Sequence, residues 1–140
     1  MSAAPTEAQW QAMREAAFAV MQRAYAPYSG FRVGAALLTG EGAIVTGANV
    51  ENASYGAAIC AERSALAAAV SGGALTFQGL TIASEAEEPA PPCGICRQAL
   101  AEFGARMPVR SVTRGGREAR WTMAELLPAP FTPAALGRQP

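Results

Sequence analysis

Phe77-Gln78-Gly79-Leu80-Thr81-Ile82-Ala83-Ser84 is the stretch on which the fold turns. It reads as a strand that is apolar on both faces, so it belongs in the middle of a sheet with helices above and below. Just upstream, residues 60–70 read as a helix closed by Ser71-Gly72-Gly73. Just downstream, residues 85–92 form a stiff, proline-containing loop that delivers the chain to Cys93, and a short helix follows over 94–103. Farther out, Phe31, Val33, Ala35 and Leu37 alternate as a strand, Thr39-Gly40-Glu41-Gly42 turns the chain, and residues 43–49 return as a hairpin. A capping box, Thr6-x-x-Gln9, opens a helix over 6–24 with Trp10, Met13, Ala17, Val20, Met21 and Ala24 at helical spacing, halted by Tyr25-Ala26-Pro27. Residues 107–113 and 117–122 pair around Arg114-Gly115-Gly116, and 124–127 make a helical turn before a proline-rich tail. The order α-β-β-α-β-α-β-β predicts an α/β fold: a three-layer α-β-α sandwich with a mixed five-stranded sheet and helices on both faces. Residues 1–140 are expected to form a single domain, with 1–5 and about 132–140 as peripheral tails.

Composition then restricts the chemistry. The chain has no His, no Lys and no Asp; its 11 positive side chains are all Arg and its 11 negative ones all Glu. A lysine Schiff base, a P-loop lysine, a Ser-His-Asp or Cys-His nucleophile and an HExxH zinc site are all excluded. No side chain titrates near neutrality unaided, so acid–base work falls to Glu, Cys, Tyr or a metal-bound water. Zero net charge argues against a nucleic acid polymer as partner. The apolar run of residues 33–38 is too short to span a membrane, and residues 1–11 carry no leader pattern. Three cysteines fit a disulfide framework poorly and a reducing compartment well, so a cytoplasmic location is expected.

Those cysteines fall in two fragments, Cys60-Ala61-Glu62 and Pro92-Cys93-Gly94-Ile95-Cys96, each opening a predicted helix. Helix N-termini stabilise thiolates, and thiolates suit zinc. A structural zinc needs four protein ligands, so with three cysteines and no histidine an uncommon carboxylate ligand would have to close the shell; three ligands instead leave the fourth position to water, the pattern of catalytic zinc sites. Glu62, in the first helical turn, is placed to take and return that water's proton. Taken singly, the residues have plainer readings. Cys93-x-x-Cys96 is more often a redox pair or structural zinc half-site, Cys60 and Phe31 are core candidates, Arg63 and Arg97 solvated surface, and Phe131 a tail anchor.

Together with Tyr28-Ser29-x-Phe31-x-Val33-Gly34-Ala35-Ala36, Asn49-Val50-Glu51-Asn52-Ala53-Ser54-Tyr55-Gly56, Cys93-Gly94-Ile95-Cys96-Arg97-Gln98 and Leu126-Leu127-Pro128-x-x-Phe131, these fragments resemble the short, homotetrameric cytidine deaminases over residues 7 to 135. The resemblance implies a cytidine deaminase-like fold and one zinc ion per chain on Cys60, Cys93 and Cys96, activating water toward C4 of cytosine, with Glu62 as catalytic acid and base. It also implies Arg63 as the charge partner of the thiolates, the Ala61 N–H on the ring O2, Phe31 stacked on the pyrimidine, and Asn49 and Glu51 on the ribose 3′-hydroxyl. Ala53, Tyr55 and Phe131 would come from neighbouring subunits of a homotetramer. The implied activity is hydrolysis of cytidine and 2′-deoxycytidine to uridine and 2′-deoxyuridine with release of ammonia, in pyrimidine salvage. The alternatives are a deaminase of a related nucleoside such as an aminoacyl-nucleoside antibiotic, a dithiol redox protein, or a zinc-stabilised interaction module.

Overall fold

The computed structural model describes residues 4–138. In chain order the elements are α1 (Glu7–Met21), β1 (Val33–Thr39), β2 (Ile44–Ala48), α2 (Ala61–Ser71), β3 (Phe77–Ser84), α3 (Gly94–Ala101), β4 (Pro108–Thr113), β5 (Glu118–Thr122) and α4 (Met123–Leu126). They form one sheet in the order β2-β1-β3-β4-β5. β3 runs antiparallel to β1 and parallel to β4, so the sheet is mixed and β3 is its middle strand. The expected α/β architecture is therefore present, and the apolar run that announced it occupies the predicted place.

Strand alternation sends side chains to opposite layers. Ala36, Leu38, Ala83 and Val112 pack with Trp10, Met13, Ala17 and Met21 of α1 on one face. Ala35, Leu37, Leu80, Ile82 and Val109 meet Ala61, Ala65 and Ala69 of α2, Leu100 of α3 and Met123 and Leu126 of α4 on the other. Two glycines let the helices sit close: a Cβ at Gly34 would fall 2.0 Å from the Ala17 carbonyl of α1, and one at Gly47 2.3 Å from the Ala65 nitrogen of α2. The helix faces are alanine-rich for the same reason, since larger side chains would hold the layers apart.

Several boundaries differ from expectation. Helix α1 stops at Met21 rather than 24: Arg23 and Ala24 close tight turns onto Val20 and Met21, and the Tyr25 N–H then pairs with the distant Asn49 carbonyl. Pro5, expected in a peripheral tail, is buried and abuts Gly79 of β3. The tail after 131 is not wholly irregular, because Pro133–Leu136 form a 3-10 turn closed by Gly137 in the left-handed region. Proline at the first position presets its φ. Residues 1–3 and 139–140 of the expected tails lie outside the described residues.

Candidate metal centre and active site

Both cysteine fragments lie where sheet gives way to helix. Cys60 and Cys93 are the N-cap residues of α2 and α3, and neither side chain makes a capping hydrogen bond. Their sulfurs are thus left for other partners, at two helix ends where partial positive charge favours thiolate. Cys96, one turn into α3, is buried beneath them. Cys60 Sγ and Cys93 Sγ are 3.7 Å apart, and all three sulfurs lie within 4.8 Å of one another. Zinc–sulfur bonds of about 2.3 Å at tetrahedral angles place sulfurs about 3.8 Å apart, so the trio fits a zinc ion.

The electrostatics agree with the geometry. The Cys60 thiol is pulled down to about 5, chiefly by hydrogen bonding from Cys96, with Cys93 and Arg63 contributing against the opposing effect of burial. Cys96 is pushed up by its hydrogen bond to Cys60 and by burial. Glu62, at 5% exposure, is raised to about 7, mainly because burial disfavours its charged form and secondarily by the nearby Cys60 charge. A carboxyl poised near neutrality is what acid–base catalysis needs in a chain without histidine. Arg63 reaches the Ala58 carbonyl through Nη2 at 3.4 Å, while its buried Nε has no partner among the described residues.

A cavity of about 210 Å³ opens over this centre, lined by Phe31, Val33, Asn49, Cys60, Ala61, Glu62, Ile82, Ala90, Pro91 and Cys93. Six of the sequence-derived site residues are thereby brought to one cavity. A second cavity, of about 280 Å³, is lined by Tyr28, Ser29, Glu51, Asn52, Tyr55 and Ala58. Glu51 and Tyr55 belong to it; Ala53 and Phe131 are exposed and line neither.

Asn49 and Glu51 prove to be structural as well as available. Asn49 Oδ1 accepts from the Val33 N–H at 2.8 Å and its Nδ2 donates to the Phe31 carbonyl at 2.9 Å, tying down the start of β1. Each of these amide groups keeps a second hydrogen-bonding site. Glu51 Oε1 accepts from the N–H groups of Tyr28 and Ser29, at 2.9 and 3.1 Å, and Oε2 accepts from the Ser29 hydroxyl. Those bonds, Ser29's hydroxyl first, hold its carboxyl below the ordinary range.

Sequence reasoning missed two groups of contributors. Val33 and Ile82, near strand ends, and Ala90 and Pro91, in the loop before Cys93, wall the cavity, and only those places in the chain could have suggested it. Arg97, which alone reads as surface, is half-buried and grips two carbonyls: Nε donates to Pro92 at 2.8 Å and Nη1 to Leu126 at 2.9 Å. Its position directly after Cys96 was the available signal.

Three cysteine sulfurs close enough to share an ion, beside a buried acid and bordering an apolar cavity, fit a zinc-dependent hydrolytic centre. Residues 7–111 match the family described as the cytidine and deoxycytidylate deaminase zinc-binding region. The cytidine deaminase of Sporosarcina psychrophila is 46% identical over 112 residues, 79% of this chain and 82% of its own. That of Halalkalibacterium halodurans is 43% identical over 123 residues, 87% and 93% of the two chains. The crystal structure of cytidine deaminase from Burkholderia pseudomallei superposes with a TM-score of 0.85 at 42% identity, covering 91% of this chain and all of that one. The chain belongs to the cytidine and deoxycytidylate deaminase family.

Proposed function

We infer that this chain hydrolyses the 4-amino group of cytidine and 2′-deoxycytidine, giving uridine or 2′-deoxyuridine and ammonia in pyrimidine salvage. The observation that carries the reading is buried Glu62 beside the cluster of Cys60, Cys93 and Cys96, with Glu62, Cys60, Cys93 and Phe31 lining one cavity. Zinc on the three sulfurs supplies a water acidified toward neutrality. Glu62 takes a proton from the attacking water and delivers it to ring N3, then takes the remaining proton from the new hydroxyl on C4 and passes it to the departing amino nitrogen, leaving the C4 carbonyl and ammonia. Its near-neutral pKa suits both directions of transfer. Arg63 offsets the net negative charge of three thiolates around a divalent ion.

Substrate is held by the surrounding walls. Phe31 stacks on the pyrimidine, and the Ala61 N–H, in the first turn of α2 where no intrahelical acceptor exists, binds the ring O2. The remaining hydrogen-bonding capacity of Asn49 and Glu51 serves the ribose 3′-hydroxyl. Nothing among these residues demands a 2′-hydroxyl, so deoxycytidine serves too.

Neighbouring copies of the chain complete the site in a homotetramer, bringing Ala53, Tyr55 and Phe131. In support, Tyr55 is 80% and Phe131 59% exposed, unusual for aromatic side chains on ordered backbone, and the cavity is smaller than the roughly 300–1,000 Å³ of complete small-molecule sites. The 140 residues act as one deaminase domain. Among the described residues no helix is long and apolar enough to cross a membrane. The unpaired cysteines fit the reducing cytoplasm, and the neutral surface fits a free nucleoside better than a polynucleotide.

The test is an ultraviolet assay of cytidine with and without a zinc chelator, with solution mass and zinc content measured on the same sample. Chelator-sensitive loss of cytidine absorbance and about one zinc per chain are expected. A requirement for a 5′-phosphate or a polynucleotide would refute the substrate assignment, and a monomeric active species would refute the shared site.

A further inference from the structure

The chain leaves α4 at Leu126 and runs through Leu127-Pro128-Ala129-Pro130-Phe131-Thr132-Pro133. The prolines fix φ and remove backbone donors, so this segment has few ways to hydrogen-bond to the body of the protein. Within the segment, the side chain of Gln98 supplies the attachment. Gln98 Nε2 donates to the Phe131 carbonyl at 2.8 Å, and the Phe131 N–H donates to Gln98 Oε1 at 3.1 Å. The amide reproduces a rung of antiparallel sheet, taking both backbone polar groups of a single residue. Arg97 fastens the start of the same segment through the Leu126 carbonyl and, with its Nε, holds the Pro92 carbonyl next to Cys93. The two residues that follow Cys96 therefore join the metal-ligand loop to the C-terminal segment.

Ordering a segment costs conformational entropy, on the order of 1–2 kcal/mol per residue for backbone alone. An anchor would offset that cost by burying its side chain, yet Phe131 remains 59% exposed while its backbone is doubly held. Fixing this residue gains its purpose from what the ring touches outside this chain. Building on the shared site proposed above, we propose that Gln98 is a positioning residue. It pins the main chain at Phe131 so that the ring meets the substrate cavity of a neighbouring copy in register with the metal cluster of its own.

The test uses the zinc-loaded, full-length enzyme in four forms besides the parent: Phe131→Ala, Gln98→Ala, Gln98→Glu and the Phe131→Ala/Gln98→Ala double variant. Loss of one aromatic contact is expected to raise KM for cytidine about three- to tenfold, with kcat much less affected. Gln98→Ala should raise KM in the same way, with zinc content and solution mass unchanged, and the double variant should be no worse than Phe131→Ala alone. Gln98→Glu keeps an acceptor for the Phe131 N–H but sets an oxygen against its carbonyl, so its KM should fall between those of the parent and Gln98→Ala. It decides the matter if the alanine variant fails to fold. A normal KM in the Gln98 variants alongside a raised KM in Phe131→Ala overturns the positioning role and leaves the shared site standing. Additive effects in the double variant likewise overturn it. A normal KM in Phe131→Ala removes Phe131 from the substrate site and the inference with it.

Discussion

The cysteine cluster and the 49–55 loop face the same task in opposite states of satisfaction. At the cluster, polar groups are left wanting among the described residues: two N-cap thiols that cap nothing, an acid whose carboxyl is held up by burial, and a guanidinium nitrogen without a hydrogen-bond partner. In the loop, the side chains of Asn49 and Glu51 are already engaged, with backbone groups of Phe31, Val33, Tyr28 and Ser29. Unmet polar groups in a folded chain are costly and rare, so the cluster is organised around an ion and a reacting molecule rather than around the fold. The loop is organised first around the fold, and its service to substrate rides on the same bonds. Substitutions in the first region should therefore separate activity from stability, and substitutions in the second should not.

The largest separation is expected at Glu62. Glu62→Gln keeps shape and burial but cannot accept and return a proton, so kcat should fall by about 10² or more. Zinc content should be retained, and thermal stability should be equal or higher, because a neutral amide replaces a carboxyl that burial disfavours in its charged form. Turnover with quantified zinc and a melting curve on one preparation checks both halves. Near-normal turnover would remove Glu62 from the mechanism.

Arg63→Gln should come next, lowering kcat about tenfold, within the range for residues that tune metal ligands. Zinc content should fall less than kcat, since the three sulfurs remain. If zinc and kcat decline in proportion, Arg63 serves retention of the ion rather than its reactivity.

In the loop, Asn49→Ala removes two backbone attachments at the start of β1. A loss of about 1–3 kcal/mol in unfolding free energy is expected, together with a raised KM for cytidine. Denaturant titration and steady-state kinetics on the same variant give the two numbers. A raised KM at unchanged stability would place Asn49 with the cluster residues and dissolve the contrast.

What could be read from the sequence follows the same division. The central strand 77–84 and the spacing of Cys60, Glu62, Cys93 and Cys96 are local patterns, and the structure keeps both where they were expected. The end of α1 was not legible, because the Tyr25 N–H is diverted to a carbonyl 24 residues away and periodicity carries no trace of it. Arg97 and Gln98 were legible as motif members but not in what they hold, since their partners are main-chain groups of Pro92, Leu126 and Phe131 that no side chain announces. The internal bonds of Asn49 and Glu51 were hidden for the same reason. Side chains that meet an ion or a substrate reveal themselves by type and spacing, whereas side chains that meet backbone reveal themselves only once the chain is folded.

The smallest effect expected also lies on the satisfied side, at the ion pair beside Phe31. Glu85 Oε1 accepts from Arg32 Nε at 3.0 Å and from its backbone N–H at 3.2 Å, and Oε2 accepts from Nη2 at 2.7 Å. The side-chain hydrogen bond from Arg32, ahead of its charge and that of Arg114, brings the Glu85 carboxyl down from 4.5 to about 2. A carboxyl whose pKa is lowered by folding stabilises the native state above its unfolded pKa, and loses that contribution as pH falls toward the folded value. The Glu85 contribution is therefore complete above about pH 4.5 and disappears on the way to pH 2. The Glu51 carboxyl is also lowered, chiefly by the Ser29 hydroxyl, so the parent protein alone cannot isolate the pair. The difference in melting temperature between the parent and Glu85→Gln can: it should be constant near neutrality, shrink below about pH 4.5 and vanish near pH 2. Because both side chains are partly exposed, solvent screens the pair and the plateau should be small, a few degrees at most. A difference that persists undiminished at pH 2 would assign Glu85 a packing role instead of an electrostatic one.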